Sequence, residues 1–176
     1  MPLQISLGLI LAVLLFQKIH GKSFFRLVYF LPYITPFVAT SVVFSLLFSP
    51  NEASLANQFI GVFGIETQNW LFEEQGIFQL MLGDIVPDAF AGPSLALLVI
   101  ILYNIWIYAG FSSVIFLAGL GGIPEDVYEA ARIDGATWWH QFRYITIPLL
   151  SPTTFFLILV ATIGTFQAFT QIFLMR

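Results

Sequence analysis

The chain has 176 residues, of which 59% are hydrophobic and only 9% charged, and its net charge is −4. A soluble domain carries about 25% charged residues, so this composition leaves too little polar surface for a water-soluble globule. The lack of cysteine excludes a disulfide framework and a thiolate metal site, and the net negative charge disfavours a nucleic-acid partner. The sequence therefore predicts an all-α, polytopic transmembrane helix bundle.

Runs without charge divide the chain into predicted spans. A spanning helix needs about 20 apolar residues, because the hydrocarbon core is about 30 Å thick and each residue rises about 1.5 Å. We predict four spans, at about 2–17, 27–49, 94–120 and 148–172. The first run is short, but it lacks the basic start and the small-residue cleavage site of a signal peptide. We therefore interpret it as a spanning helix.

The distribution of charge predicts the orientation of these spans. Five basic residues lie in the first and third gaps between spans: Lys18, Lys22, Arg26, Arg132 and Arg143. The segment 50–93 contains only acidic charges: Glu52, Glu66, Glu73, Glu74, Asp84 and Asp88. Because Lys and Arg accumulate in cytoplasmic loops, we expect 50–93 to be periplasmic and 121–147 to be cytoplasmic. Stretches near 53–63 and 76–82 have the composition of short surface helices.

The segment 121–147 carries the clearest signals for short helices. Pro124, followed by two acidic residues, is typical of a helix start, and Gly135 is typical of a helix stop. The sequence predicts one helix at about 124–134 and a second at about 136–144. Two short helices joined by a glycine turn, on the basic side of the membrane, indicate a docking element for another protein.

Chemistry within the spans is restricted to uncharged polar groups. The absence of ionisable side chains disfavours a proton-coupled carrier. Candidates for a substrate pathway are Asn104, Thr165, Gln167 and Gln171. Hydrogen bonding between helices explains these residues as well, and both interpretations stay open. The two histidines lack further ligands at metal-site spacing, so we predict no metal, no cofactor and no catalytic site.

The segment 121–147 also resembles a known family. Glu129-Ala130-Ala131, three residues, Gly135, nine residues, then Ile145 and Pro148 match the signature of permease subunits of bacterial ABC importers. Ile147 stands where leucine is usual. The stretch from Gly21 to Arg26, followed by Leu31-Pro32-Tyr33 and Pro36, is similar to the maltose-type sugar permeases among binding-protein-dependent transport system inner membrane components.

The resemblance implies a function and a set of partners. It implies a multi-pass subunit of the bacterial inner membrane that accepts a sugar or related solute from a periplasmic solute-binding protein. A second permease subunit and two cytoplasmic ATP-binding subunits would complete the importer, so ATP hydrolysis is expected in the partners. The residues that would couple to the ATPase are Glu129, Ala130, Ala131, Asp134 and Gly135.

Alternatives remain at this point. A secondary carrier or channel subunit without an ATPase partner is one, and a membrane enzyme or scaffold subunit is another. Permeases of this kind have more spans than the four predicted here, so we expect the chain to be a core fragment of a longer protein. The lipid bilayer is the surrounding medium in every case.

Overall fold

The computed structural model describes residues 2–17, 20–73, 76–82 and 90–166. Its helices are α1 (Pro2–Phe16), α2 (Lys22–Ile34), α3 (Phe37–Leu47), α4 (Leu55–Gly61), α5 (Ile77–Leu82), α6 (Leu95–Gly121), α7 (Glu125–Ile133), α8 (Trp138–Gln141), a π-helical segment (Phe142–Thr146), α9 (Ile147–Leu149) and α10 (Ser151–Phe166). Within those ranges there is no β-strand, and an isolated bridge joins Gly76 to Ser94. The all-α fold class predicted from the sequence is confirmed.

Helix length and composition limit which elements can cross a bilayer alone. Helix α6 has 27 residues and reaches a mean hydropathy of 2.0. Among the described residues, it is the one unbroken helix that is both long enough and apolar enough to cross a membrane. The number of candidate spans among these residues rises to three if each of two interrupted pairs is counted as one span. The pairs are α2 with α3, and α8–α9 with α10. Helix α1 is a shorter apolar helix of 15 residues.

Proline explains both interruptions. The sequence predicted one span over 27–49, whereas α2 ends at Ile34 and α3 begins at Phe37, after Pro36. Pro36 has no N–H and disfavours helical backbone at Thr35, which favours a break at this point, although Pro32 is accommodated within α2. The axes before and after Leu150 differ by 60°, next to Pro152, which has no N–H for the carbonyl four residues earlier.

The chain divides into two compact units, and the first comprises Met1–Ile34 and Ile105–Gln167. Its buried core draws on α1, the second half of α6, and the chain from α9 to α10: Ala12, Leu15, Phe116, Leu117, Leu120, Leu150 and Leu157. The opposite face of α1 exposes a stripe of aliphatic side chains, namely Leu3, Leu7, Ile10 and Leu14. A helix that is apolar on all faces suits a hydrocarbon environment rather than water.

Helices α2 and α6 approach closely within the first unit. Gly110 of α6 lies directly beneath the backbone carbonyl of Tyr29, where a β-carbon would collide with it. The Tyr33 ring stacks on Phe111, with 4.6 Å between the ring centroids. The contact therefore depends on a residue without a side chain, as is common where membrane helices pack.

The second unit comprises Thr35–Asn104 and Ala168–Arg176, of which 35–73, 76–82 and 90–104 are described. A buried hydroxyl cluster joins α3 to the start of α6. The Tyr103 hydroxyl lies 2.8 Å from Thr40 Oγ1 and 3.1 Å from Ser41 Oγ. Because a polar group in hydrocarbon must find a partner, these bonds satisfy three hydroxyls that have no access to water.

The connection after α3 is organised by one buried amide. The Asn57 side chain is 5% exposed, and its Nδ2, with two N–H donors, lies within 3.3 Å of the carbonyl oxygens of Ser49, Asn51 and Gln68. Its Oδ1 accepts from the Gln68 backbone N–H at 3.0 Å and from Trp70 Nε1 at 2.8 Å. This one side chain of α4 therefore links the residues that precede the helix to those that follow it.

Candidate functional site

Helix α7 has well-formed ends, and the sequence explains both. Pro124 occupies the N-cap position, and Glu125 and Asp126 in the first turn favour the positive end of the helix dipole. At the other end the Ala136 N–H donates to the Ala131 carbonyl at 2.9 Å, and the Gly135 N–H donates to Arg132 at 3.1 Å. This pair of bonds is a Schellman motif.

Gly135 provides the backbone conformation that this motif requires. Its φ is +80°, in the left-handed region where a side chain is disfavoured. The helix observed at Glu125–Ile133 is slightly shorter than the predicted 124–134, because Pro124 caps the helix rather than opening it. The glycine stop at 135 is where the sequence placed it.

The residues that the motif singled out lie together on α7 and in the turn after it. Glu129, Ala130, Asp134 and Gly135 are exposed, whereas Ala131 is half-buried. Ile133 is 86% exposed, which is unusual for a large aliphatic side chain in a structured helix. No residue of α7 is buried. The helix therefore presents an uncovered surface of small, charged and aliphatic groups.

The second predicted helix, at about 136–144, is split in the structure. Thr137 caps the four-residue helix α8, because its Oγ1 accepts from the His140 backbone N–H at 3.4 Å, and the same Oγ1 lies 2.8 Å from His140 Nδ1. The chain then continues as the π-helical segment Phe142–Thr146. The Trp138 and Phe142 rings stack within 2° of parallel at 5.5 Å, so the predicted pairing of these side chains one turn apart is present.

A hydrogen bond that sequence reasoning missed joins the two parts of the site. The Tyr128 hydroxyl lies 2.9 Å from Thr146 Oγ1, and Thr146 is 5% exposed. Tyr128 directly precedes the family motif, and Thr146 lies within it, next to Ile145, at a position that the motif leaves open. The bond connects α7 to the π-helical segment that precedes α9 and α10. Helix α7 is therefore held by a side-chain contact as well as by its flanking loops.

A cavity of about 740 Å³ lies behind α7, within the first unit. It is lined by the end of α1, the start of α2, the end of α6, α7 itself, and the segment from α8 to Thr146. Lys22, Glu125 and Arg132 supply the charged groups of its lining. Helix α7 therefore has two distinct sides, with Glu125, Tyr128 and Arg132 lining the cavity.

The candidates for a substrate pathway fall in different parts of the chain. Asn104 belongs to the second unit, and its Nδ2 donates to the Ile100 carbonyl at 2.7 Å on the same helix. Thr165 belongs to the first unit, and its hydroxyl donates to the Ala161 carbonyl at 2.9 Å. Gln167 and Gln171 lie outside the described residues. Asn104 Oδ1 and the Thr165 lone pairs keep accepting capacity for a further partner.

The fold is that of an ABC importer permease. A crystal structure of a bacterial ABC transporter involved in the import of the acidic polysaccharide alginate superposes with a TM-score of 0.65 over 90% of this chain and 48% of that one, at 24% identity. At that level of identity the likeness concerns the fold.

The sequence comparisons identify the family. The profile of binding-protein-dependent transport system inner membrane components matches residues 4–175, so the chain belongs to that family. A probable ABC transporter permease of Pyrococcus horikoshii is 34% identical over 174 residues, covering 99% of this chain and 53% of the relative. An arabinooligosaccharide transport permease of Halalkalibacterium halodurans is 31% identical over 170 residues, covering 96% and 48%.

The family membership confirms the resemblance drawn from the motifs. The chain belongs to the family of binding-protein-dependent transport system inner membrane components, and the curated relatives it resembles are named as transport permeases. The chain spans about half the length of the curated relatives it matches.

Proposed function

We propose that the protein is the permease subunit of an ATP-driven importer that passes a sugar or related solute from a periplasmic binding protein across the bacterial inner membrane. Cytoplasmic ATP-binding subunits dock on α7, and a second permease subunit completes the pathway. The spans at about 2–17, 27–49, 94–120 and 148–172 make it a multi-pass protein, with 50–93 periplasmic and 121–147 cytoplasmic.

The observation that carries this proposal is the exposed surface of α7. Small residues such as Ala130 permit close approach by a partner, and Glu129 offers one charge for a basic or hydrogen-bonding group. Ile133 adds an uncovered aliphatic contact. Tyr128 and Thr146 fasten this surface to the chain entering α10, which gives a mechanical path from a docked partner to a membrane helix.

A carbohydrate is the proposed substrate class. Curated relatives include permeases named for arabinooligosaccharides, lactose, and trehalose or maltose, which supports a sugar without selecting one. Within this chain we propose Asn104, Thr165, Gln167 and Gln171 as contacts. Sugars are recognised by a few placed polar groups in an otherwise apolar pathway, which fits uncharged amides and a hydroxyl on apolar helices.

The orientation predicts the accessibility of introduced cysteines. Ser23 and Thr137 are both exposed, so a cysteine placed at either position is open to a reagent, and these 176 residues contain no other cysteine. If both segments are cytoplasmic, a membrane-impermeant maleimide added to intact spheroplasts leaves both unlabelled, and lysis exposes both. Gln58→Cys, exposed in the proposed periplasmic segment, is the control that labels before lysis. Labelling of Ser23→Cys or Thr137→Cys before lysis would reject this orientation.

The partnership with an ATPase is tested by co-purification. The full-length protein, expressed with candidate ATPase subunits, should be recovered in a stable detergent-solubilised complex. The complex should hydrolyse ATP faster when the loaded binding protein is added in proteoliposomes. Solute uptake without any ATPase subunit would favour a carrier or channel and reject the proposal.

A further inference from the structure

The cavity behind α7 combines apolar walls with two cationic side chains. Its walls include Val13 and Phe16 of α1, Leu120 of α6, and Phe142. All four belong to, or directly adjoin, the apolar helices of the first unit. A volume of about 740 Å³ lies within the range of sites that hold a sizeable ligand. The apolar walls favour a ligand with a hydrocarbon portion.

The charged side chains of the lining favour an anionic group in the rest of the ligand. The Lys22 ammonium donates to the Phe16 carbonyl at 3.3 Å, at the end of α1, and has two further donors. Arg132 has no ion pair or side-chain hydrogen bond to any residue that the structure describes, which leaves its guanidinium donors for a ligand. Glu125 is the acidic residue of the lining, so the two cations exceed it by one charge.

We propose that this cavity binds an anionic phospholipid of the cytoplasmic leaflet, with its phosphate at Lys22 and Arg132 and its acyl chains along the walls from α1 and α6. The inference rests on the proposed orientation, which places the segment 121–147 and Lys22 on the cytoplasmic side. Basic pockets between membrane helices on that side suit acidic headgroups. Trp138, also in the lining and 59% exposed, has the amphipathic character of side chains at membrane interfaces.

A lipid at this site would act on the coupling segment directly. Glu125, Tyr128 and Arg132 are spaced by three and four residues, so they share one side of α7, whereas Ala130, two residues from both Tyr128 and Arg132, lies on the opposite side. The lipid would therefore occupy one side of the helix while the ATPase contacts Ala130 on the other. An occupied cavity would hold α7 in the orientation that the ATPase meets, making ATPase stimulation dependent on acidic lipid.

The test measures lipid bound to the intact complex of full-length permease and ATPase subunits by native mass spectrometry. Phosphatidylglycerol is titrated into the delipidated complex, with phosphatidylcholine as the uncharged comparison. The double variant Lys22→Gln/Arg132→Gln should weaken phosphatidylglycerol binding about 25-fold, at about fivefold for each cation removed. Glu125→Gln should strengthen it by about fivefold, because it removes the opposing charge.

The matched control is Arg26→Gln/Arg143→Gln, which removes two exposed cations from the same side of the protein but outside the lining. It should leave the affinity of the tightest lipid within twofold of the native complex. Equal weakening by both double variants, equal affinity for phosphatidylcholine, or displacement of the lipid by inorganic phosphate would overturn the proposal.

Loss of ATPase subunits from Lys22→Gln/Arg132→Gln, with lipid binding unchanged, would assign the cavity to the ATPase instead and also overturn it. Failure of the proposed function is seen separately, as absence of an ATPase complex in the native protein. Lipid binding is then still measured on the isolated full-length permease.

Discussion

Replacing Gly135 by proline in the full-length transporter is expected to abolish solute uptake while leaving membrane insertion intact. Gly135 has φ near +80°, whereas the proline ring fixes φ near −65°. The variant also loses the N–H that bonds to Arg132, so the Schellman motif cannot close and α8 leaves α7 in another direction. The disruption falls on an exposed turn, not on the membrane core.

Glu129→Lys is the companion variant, because it reverses the charge on the outer surface of α7 without altering the backbone. We expect the ATPase to be recovered with the permease in much reduced yield, or to hydrolyse ATP without uptake. Glu66→Lys is the matched control, an exposed charge reversal in the proposed periplasmic segment, and should retain assembly and uptake. Full uptake in both Gly135→Pro and Glu129→Lys would mean that α7 is not the coupling element.

Gly110→Ala is expected to lower the stability of the fold more than an alanine at any uncrowded helical glycine. The β-carbon of Gly110→Ala would collide with the backbone carbonyl of Tyr29, and a backbone atom cannot move aside as a side chain can. Overpacking of a core typically costs up to about 3 kcal/mol of stability. Here the added methyl group would force α2 away from α6. The thermal aggregation temperature of the purified protein in detergent should fall clearly.

Gly164→Ala is the control for this prediction. Gly164 lies in α10, and a β-carbon there would meet no atom within 4 Å. Alanine is favoured over glycine in a helix by about 1 kcal/mol, so this variant should be as stable as the native protein or slightly more stable. An unchanged aggregation temperature in Gly110→Ala would contradict the close contact between α2 and α6.

The sequence predicted those parts of the fold that depend on local composition. The length of the uncharged run predicted a helix at 94–120, and α6 runs from Leu95 to Gly121. Helix-end chemistry at Pro124 and Gly135 placed α7 to within one or two residues. The interruption at Pro36 was missed, because hydropathy over 27–49 stays uniformly high while the backbone restriction comes from a single residue.

The candidate site was predicted as a motif but not as a structure. The motif pointed to Glu129, Ala130 and Gly135, and these are exposed on α7 or in the turn that follows it. The bond between Tyr128 and Thr146 joins residues 18 positions apart, and nothing in their spacing indicates that they meet. The cavity was missed for the same reason, because its lining comes from segments that only the tertiary fold brings together.

The central claim, that α7 is the surface on which the ATPase docks, is tested most directly by site-specific photocrosslinking. Ala130→Cys carries an exposed thiol on α7, and a benzophenone maleimide attached to it captures whatever polypeptide lies alongside in the assembled transporter. The account predicts a crosslink to the ATPase subunit from Ala130→Cys and none from Gln58→Cys. A complex that is intact and active, yet gives no ATPase crosslink from Ala130→Cys, would contradict it.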